Sequence, residues 1–285
     1  VPAGADAAVR FTHRFQSPGE HKVEVRAPGD HLDIDNSRWL ILPVHEEIRV
    51  LCIEGSPGAA KYVADALNPN PAGASPIRPI VVSESDLAGV ELSGFDCVFV
   101  CNVAQFTSSE AERLSRFASD GGGVVFFLGD RVDRDSYNAQ ASGKEPLLPA
   151  TLGDIASQSQ FGIDPLDYRH PIVAPFRGRE RAGLLTTPIA RYHRLDLAES
   201  RPTAQVAAAM PKGDPFIVTA PLGRGQTVLV ATDGSLSSVD SNTNEPWTNW
   251  PTWPSFQPLI LELLAYSTSG HQPDWHHHDG TTQAS

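Results

Sequence analysis

The sequence predicts an α/β fold: an open, mostly parallel sheet with helices on both faces, preceded by a small β segment. Three observations predict it. Residues 48–128 repeat short, nearly continuous apolar runs separated by helical segments, the pattern of parallel strands covered on both faces. Residues 6–48 instead alternate apolar and polar side chains, as half-buried strands do. A hydrophobic share of 40% and a charged share of 20% belong to a chain that folds around a core.

In order, residues 8–15 read as a first strand. Ser17-Pro18-Gly19-Glu20 turns the chain into a second at 21–26, and Asp35-Asn36 turns it into a third at 38–44. Three strands with one apolar face are marginal alone, so residues 1–47 read as the end of a β-sandwich. The one methionine is Met210, the chain opens Val1-Pro2-Ala3-Gly4, and no charged-then-apolar leader precedes the fold. It therefore reads as a processed chain or a piece of something longer.

Ile48-Arg49-Val50-Leu51-Cys52-Ile53 is the first buried strand, followed by the turn Glu54-Gly55-Ser56-Pro57-Gly58 and a helix at 59–67. The Asn-Pro-Asn-Pro stretch at 68–71 stops that helix. Residues 77–82 form a second strand, where Pro79 marks an edge or irregular start. Residues 97–101 are a third strand. Thr107 then caps a helix running to 119, with Glu110 completing a capping box. Gly121-Gly122-Gly123 ends it, and 124–128 is a fourth buried strand. Beyond Gly129 the regularity fades into loops, a short helix at 149–157 and a strand near 191–195. Strands at 216–220 and 227–231 join through Gly223-Arg224-Gly225 as a hairpin. A tryptophan-rich stretch precedes the last helix at 255–266, and 269–285 reads as a polar tail.

The formal charge of −12 argues against nucleic acid as a partner, because that affinity comes from clustered Lys and Arg. No run approaches the ~18 apolar residues of a membrane span, so membrane attachment is expected only through segments outside this chain. Three cysteines cannot all pair, which weighs against a disulfide framework.

Ligands of open parallel sheets bind beyond the carboxyl ends of the strands, which selects four loops. The turn carrying Glu54, Gly55 and Ser56 presents backbone N–H groups at a helix start, either as an anion site or as a plain strand–helix turn. It has neither the dinucleotide fingerprint nor the phosphate-loop lysine. The second loop begins at Cys101 and Asn102. Cys52, Cys97 and Cys101 all lie in buried-strand patterns, where cysteine serves as a small hydrophobe, and about 13 Å separates Cys97 from Cys101 along a strand. The third loop offers Gly129, Asp130 and Arg131 where a nucleophile elbow would carry Ser or Cys. There Asp130 is a candidate nucleophile, base or ligand, or else it caps the turn or pairs with a neighbour such as Arg131. The fourth loop runs from Asp233 through Asp240, Asn242 and Glu245 to Trp247, Trp250 and Trp253. Its indoles either line a sugar or peptide site or seal the last helix onto the sheet. His170 and His193 are the histidines of the domain body; the tail tract His276-His277-His278 is a poor preorganised metal site. No metal and no cofactor is expected.

Several motifs then combine. They are Arg49-Val50-Leu51-Cys52-Ile53-Glu54-Gly55-Ser56-Pro57, Gly94-Phe95-Asp96-Cys97-Val98 leading to Asn102-Val103, and Gly121-Gly122-Gly123-Val124-Val125-Phe126-Phe127-Leu128-Gly129-Asp130. To these add His170-Pro171-Ile172, Gly223-Arg224-Gly225-Gln226-Thr227-Val228 and Trp250-Pro251-Thr252-Trp253-Pro254-Ser255-Phe256. Together they resemble the class I glutamine amidotransferase-like domain, with its flavodoxin-like sheet, of bacterial Bat-type (aerotolerance-related, planctomycete) membrane proteins. A similar sheet with a His-Pro-Ile stretch occurs in ThuA-like domains. The resemblance covers residues 48–268 and implies that 1–47 are the C-terminal strands of an Ig-like domain.

Amidotransferases of this class carry an elbow cysteine and a downstream His–Glu pair, and this sequence has neither at the matching places. The expectation is therefore a non-catalytic binding or interaction module of a larger cell-envelope protein, taking an unidentified protein or a small polar ligand. Gly55, Ser56, Asn102, Gly129, Asp130, Arg131 and Trp250 are its candidate ligand contacts. The alternative is a hydrolase of a carbohydrate or peptide-like substrate, with Asp130, Glu54 and His170 as candidate catalytic residues.

Overall fold

The computed structural model describes residues 15, 17, 19–26, 37–44, 47–71, 73, 75–142, 146–158, 162–197 and 202–269. The chain divides into two compact units, Val1–Glu47 and Ile48–Ser285. In the first, β1 (Gly19–Arg26) and β2 (Ser37–Val44) pair antiparallel from Gly19 opposite Val44 to Arg26 opposite Ser37. Lys22 lies over the Trp39 ring, 3.6 Å from its centroid. The strand expected at 8–15 and the turn at Asp35-Asn36 fall outside the described residues. Among the described residues this unit is a two-stranded sheet, and a sandwich is not seen.

The second unit begins with β3 (Ile48–Glu54), α1 (Lys61–Leu67), β4 (Ile77–Ser83), β5 (Cys97–Cys101), α2 (Ser108–Ser119) and β6 (Gly123–Phe127). It continues with α3 (Arg134–Gln140), β7 (Ala150–Ser157), β8 (Arg191–Leu197), β9 (Gln205–Ala209), β10 (Pro215–Leu222), β11 (Gly225–Val230) and α4 (Phe256–Thr268). Seven of these strands form one sheet in the order β4-β3-β5-β6-β11-β10-β9. The first five are parallel to one another, whereas β10 pairs antiparallel with both β11 and β9. Mixed sheets of this kind commonly carry antiparallel strands at an edge. The apolar runs explain the centre: β5 and β6 are buried along their whole length. Pro79 lies on β4 at the sheet edge, where strand prolines are tolerated.

Successive strand residues point to opposite faces, and the end of β6 shows both faces filled. Phe126 packs near Phe106 and Tyr137 of α3, while the adjacent Phe127 packs near Phe99 and Trp250. Trp250 in turn meets Phe256 of α4 edge to face. The Thr107 capping box forms as read: the Glu110 N–H donates to Thr107 Oγ1, and the Thr107 N–H donates to Glu110 Oε2 at 2.9 Å.

Residues 149–157 form no helix. They are β7, paired antiparallel with β8. Gly153 interrupts the stretch, and Thr151 and Ile155 are β-branched, so local helix preference is low and a distant strand decides the outcome. The pairing steps from Leu152–Leu195 to Ile155–His193, which leaves one extra residue on β7 as a bulge at Gly153-Asp154. Helix α3 and strand β9 were not legible in the sequence either.

Candidate functional site

The carboxyl ends of β3, β5, β6 and β11 meet at one edge of the sheet. Immediately after β5, Asn102 takes a left-handed conformation (φ 51°), which asparagine tolerates better than most residues. Its backbone N–H donates to the Phe127 carbonyl at 3.0 Å, so the turn is tied to the neighbouring strand. The strained position of the crevice is thus Asn102 and not Gly129.

This turn leads the Asn102 amide into a polar network. Asn102 Nδ2 donates to Asp130 Oδ1 at 3.0 Å and to Ser238 Oγ at 3.1 Å, while its Oδ1 accepts from the Arg131 N–H at 3.1 Å. The second Asp130 oxygen accepts from the Val239 N–H at 3.2 Å. Ser238 Oγ accepts from the Asp130 N–H and donates to Asp233 Oδ2 at 2.6 Å. The Asp233 carboxylate also receives the hydroxyls of Ser235 and Ser237 and the N–H groups of Ser235 and Ser238. Burial raises the Asp233 carboxyl above its ordinary range, and the serine donors oppose that rise by stabilising the anion.

Two glycines make the close approach feasible. A Cβ on Gly55 would sit 1.9 Å from the Asn102 carbonyl oxygen, and one on Gly129 would sit 2.4 Å from both the Asn102 amide and Ser238 Oγ. From β8, His193 donates Nε2–H to the Gly129 carbonyl at 3.1 Å, since a carbonyl can only accept. Asn102, Ser238, Asp233 and His193 are each at most 3% exposed. The protein's own side chains fill the floor of the crevice, and Asp130 and Arg131 stand exposed at its rim.

The other expected residues are placed as follows. Glu54 Oε2 accepts from the Gly58 N–H at 2.8 Å, and the Ser56 carbonyl accepts from the Ala59 N–H, so this loop satisfies itself as a strand–helix turn. Arg131 pairs with Glu84 at 2.7 Å, and Asp130 is held by Asn102 and Val239 instead. His170 does not join Asp130. Its ring bonds to Thr219 Oγ1 and the Ile172 N–H and lies 4.9 Å from the Tyr266 ring, and burial lowers its pKa to about 4. Trp250 has no exposed surface, so it offers a ligand no face; it fills the core between Phe127, Phe216 and Phe256.

All three cysteines are free and buried, and desolvation pushes their thiols up, to about 12 for Cys52. A thiol in that state is no nucleophile. Among the described residues, no group of three or more His, Cys, Asp or Glu side chains is placed to hold a metal ion. No described helix is long and apolar enough to cross a membrane.

The sequence reading did not name Ser238, and it named Asp233 and His193 without placing either in the site. The serine-rich run after Asp233 was a usable signal, because closely spaced hydroxyls are the donors a buried carboxylate requires. His193 carried none, since its partner is a backbone carbonyl 64 residues away.

No protein-family description matches the chain, and comparison with curated proteins finds no significant match. Solved structures do match. A cytoplasmic protein from Salmonella typhimurium LT2 is similar at 14% identity and TM-score 0.56, over 87% of this chain and 96% of that one. A second cytoplasmic protein from Salmonella typhimurium is similar at 12% identity and TM-score 0.53, over the same shares. A ThuA-like protein from Bacteroides uniformis ATCC 8492 is similar at 10% identity and TM-score 0.51, over 78% of this chain and 91% of that one. The likeness is one of fold: a mixed α/β, ThuA-like architecture around a mostly parallel sheet.

Proposed function

We propose that this chain is a non-catalytic, amidotransferase-fold binding domain that holds a small polar ligand at the carboxyl edge of its sheet. One observation carries the reading: the crevice floor is occupied by Asn102, Ser238, Asp233 and His193, each at most 3% exposed and hydrogen-bonded to the others or to backbone. A general base must reach its substrate's proton. Here the exposed acid at the rim is Asp130, and both its oxygens already accept hydrogen bonds. A carboxylate fixed in this way keeps lone pairs for a ligand's donors, which suits recognition.

The resemblance to Bat-type proteins extends the proposal to a module of a larger cell-envelope protein, with residues 1–47 as the end of an Ig-like domain. Its ligand would be an unidentified protein segment or small polar molecule. Two measurements test the core of the reading. Turnover of chromogenic glycosides, peptides and glutamine is expected to be absent, and polar fragments are expected to shift the amide resonances of Asp130, Arg131 and Val239. Hydrolysis abolished by Asp130→Asn would replace this proposal with the hydrolase reading.

A further inference from the structure

A cavity of about 550 Å³ opens at the amino ends of β5 and β6, the opposite end of these strands from the filled crevice. Its volume lies within the range of small-molecule sites. One wall is the single 3-10 turn Leu92–Gly94 with Phe95, which together lead into β5. The other is the last two turns of α2. Helix residues three and four apart share a face, so Arg113, Arg116, Phe117 and Asp120 form one stripe along the cavity. A second stripe of the same helix, Ala111, Leu114 and Ala118, is buried.

The apolar part of the lining is built into the fold. Leu92 is buried, and the rings of Phe95 and Phe117 are half-buried. A Cβ on Gly122 would sit 2.3 Å from the Phe117 ring, so only glycine lets that ring lie against the backbone. The charged part is less settled. Arg113 donates Nη1–H to the Leu87 and Ala88 carbonyls at 3.0 Å and Nη2–H to the Val90 carbonyl. Neutral acceptors thus fix this half-buried guanidinium, while Nε–H and one Nη2–H keep no partner. Among the described residues, neither Arg113 nor Arg116 is paired with a carboxylate. Asp120 stands at the end of α2, where its carbonyl accepts from Arg224 Nη2–H at 2.7 Å and its carboxylate has no bond. A carboxylate there meets the negative end of the helix dipole, a conflict that a neighbouring cation relieves. Glu91 is used locally, accepting from the Ser93 N–H. Two guanidinium groups and two carboxylates leave the lining neutral overall, so a ligand carrying net charge would leave one sign unmatched.

We propose that this cavity binds a free α-amino acid with an apolar side chain. Its carboxylate takes the open donors of Arg113 and Arg116, and its ammonium group meets Asp120. Its side chain lies against Leu92, Phe95 and Phe117. The site is separate from the carboxyl edge and goes beyond the binding reading given for that edge.

The two charges of the ligand can be tested one at a time. L-Phenylalanine, 3-phenylpropionate, phenethylamine and free glycine are titrated separately into the isotope-labelled full chain, following the amides of Ser93, Phe117 and Gly122. Phenylalanine is expected to shift them saturably. Each aromatic analogue lacks one charge and should bind about fivefold more weakly, the scale of an exposed ion pair. Arg116→Gln should weaken phenylalanine and phenylpropionate by a similar factor and leave phenethylamine no weaker. Asp120→Asn should weaken phenylalanine and phenethylamine and leave phenylpropionate no weaker. Both side chains are exposed, so neither change threatens the fold. No saturable response to phenylalanine overturns the proposal. Either analogue binding as tightly as phenylalanine also overturns it, because one charge would then play no part. Glycine binding as tightly overturns it by leaving the apolar wall without a role. None of these results bears on the carboxyl edge, whose binding reading fails through the hydrolysis described above.

Discussion

Replacing Ser238 by alanine removes one oxygen that joins three parts of the crevice. Ser238 Oγ donates to Asp233 Oδ2 at 2.6 Å and accepts from Asn102 Nδ2 at 3.1 Å and from the Asp130 N–H at 3.2 Å. The first bond serves a carboxylate with no solvent exposure, and bonds to charged groups contribute about 1.5–3 kcal/mol. Asn102 Nδ2 keeps Asp130 Oδ1, and the exposed Asp130 can turn its N–H to water, so those losses add about 1 kcal/mol together. The expected cost is about 3 kcal/mol, or a melting temperature lower by ~6–12 °C for a domain of this size. Urea unfolding should show a lower midpoint at an unchanged slope. Ser237→Ala provides the control: its hydroxyl reaches the same oxygen at 3.3 Å from an exposed position, so its loss should cost under about 1 kcal/mol. A Ser238→Ala cost below that of Ser237→Ala would refute the account, because it would mean the network does not hold the crevice shut.

Three further outcomes follow from the same geometry. Gly55→Ala should abolish soluble expression or lower the melting temperature by more than ~10 °C, since its Cβ would lie 1.9 Å from a backbone oxygen that has nowhere to go; a melting point within a few degrees of the parent would contradict this. Native protein should react with none of its thiols on the timescale of a small-molecule thiol reagent, and with all three once unfolded; fast labelling of Cys101 in the folded state would reopen the nucleophile question. The His170 ring should titrate near pH 4 by NMR, as against 6.5 for ordinary histidine. Because the fold favours the neutral ring, its contribution to stability is complete above pH 6.5 and is lost as pH falls through 4. His170→Gln should flatten that acid limb, and an unchanged limb would assign the loss to other groups.

The parallel core was legible because it depends on local pattern. Apolar runs of the right length marked β3, β5 and β6, a proline marked the edge strand β4, and the Thr107–Glu110 spacing fixed where α2 begins. The hairpin of β10 and β11 followed from glycines flanking Arg224. These are statements about neighbours in sequence, and the chain carries them wherever it goes.

The site was different. That the carboxyl edge would gather Asn102, Gly129 and Asp130 followed from strand direction, but their partners did not. Ser238 lies 136 residues from Asn102, and His193 lies 64 from Gly129. No local preference encodes such a meeting, because only packing decides which backbone carbonyl faces which ring. The same reason turned 149–157 from an expected helix into β7: with weak intrinsic preference, the partner strand 40 residues on set its state. Sequence alone therefore determined the layers of this protein and the edge at which chemistry could sit. Only the tertiary structure decided that the edge is filled by the chain's own hydrogen bonds, because the partners that fill it are far apart in sequence.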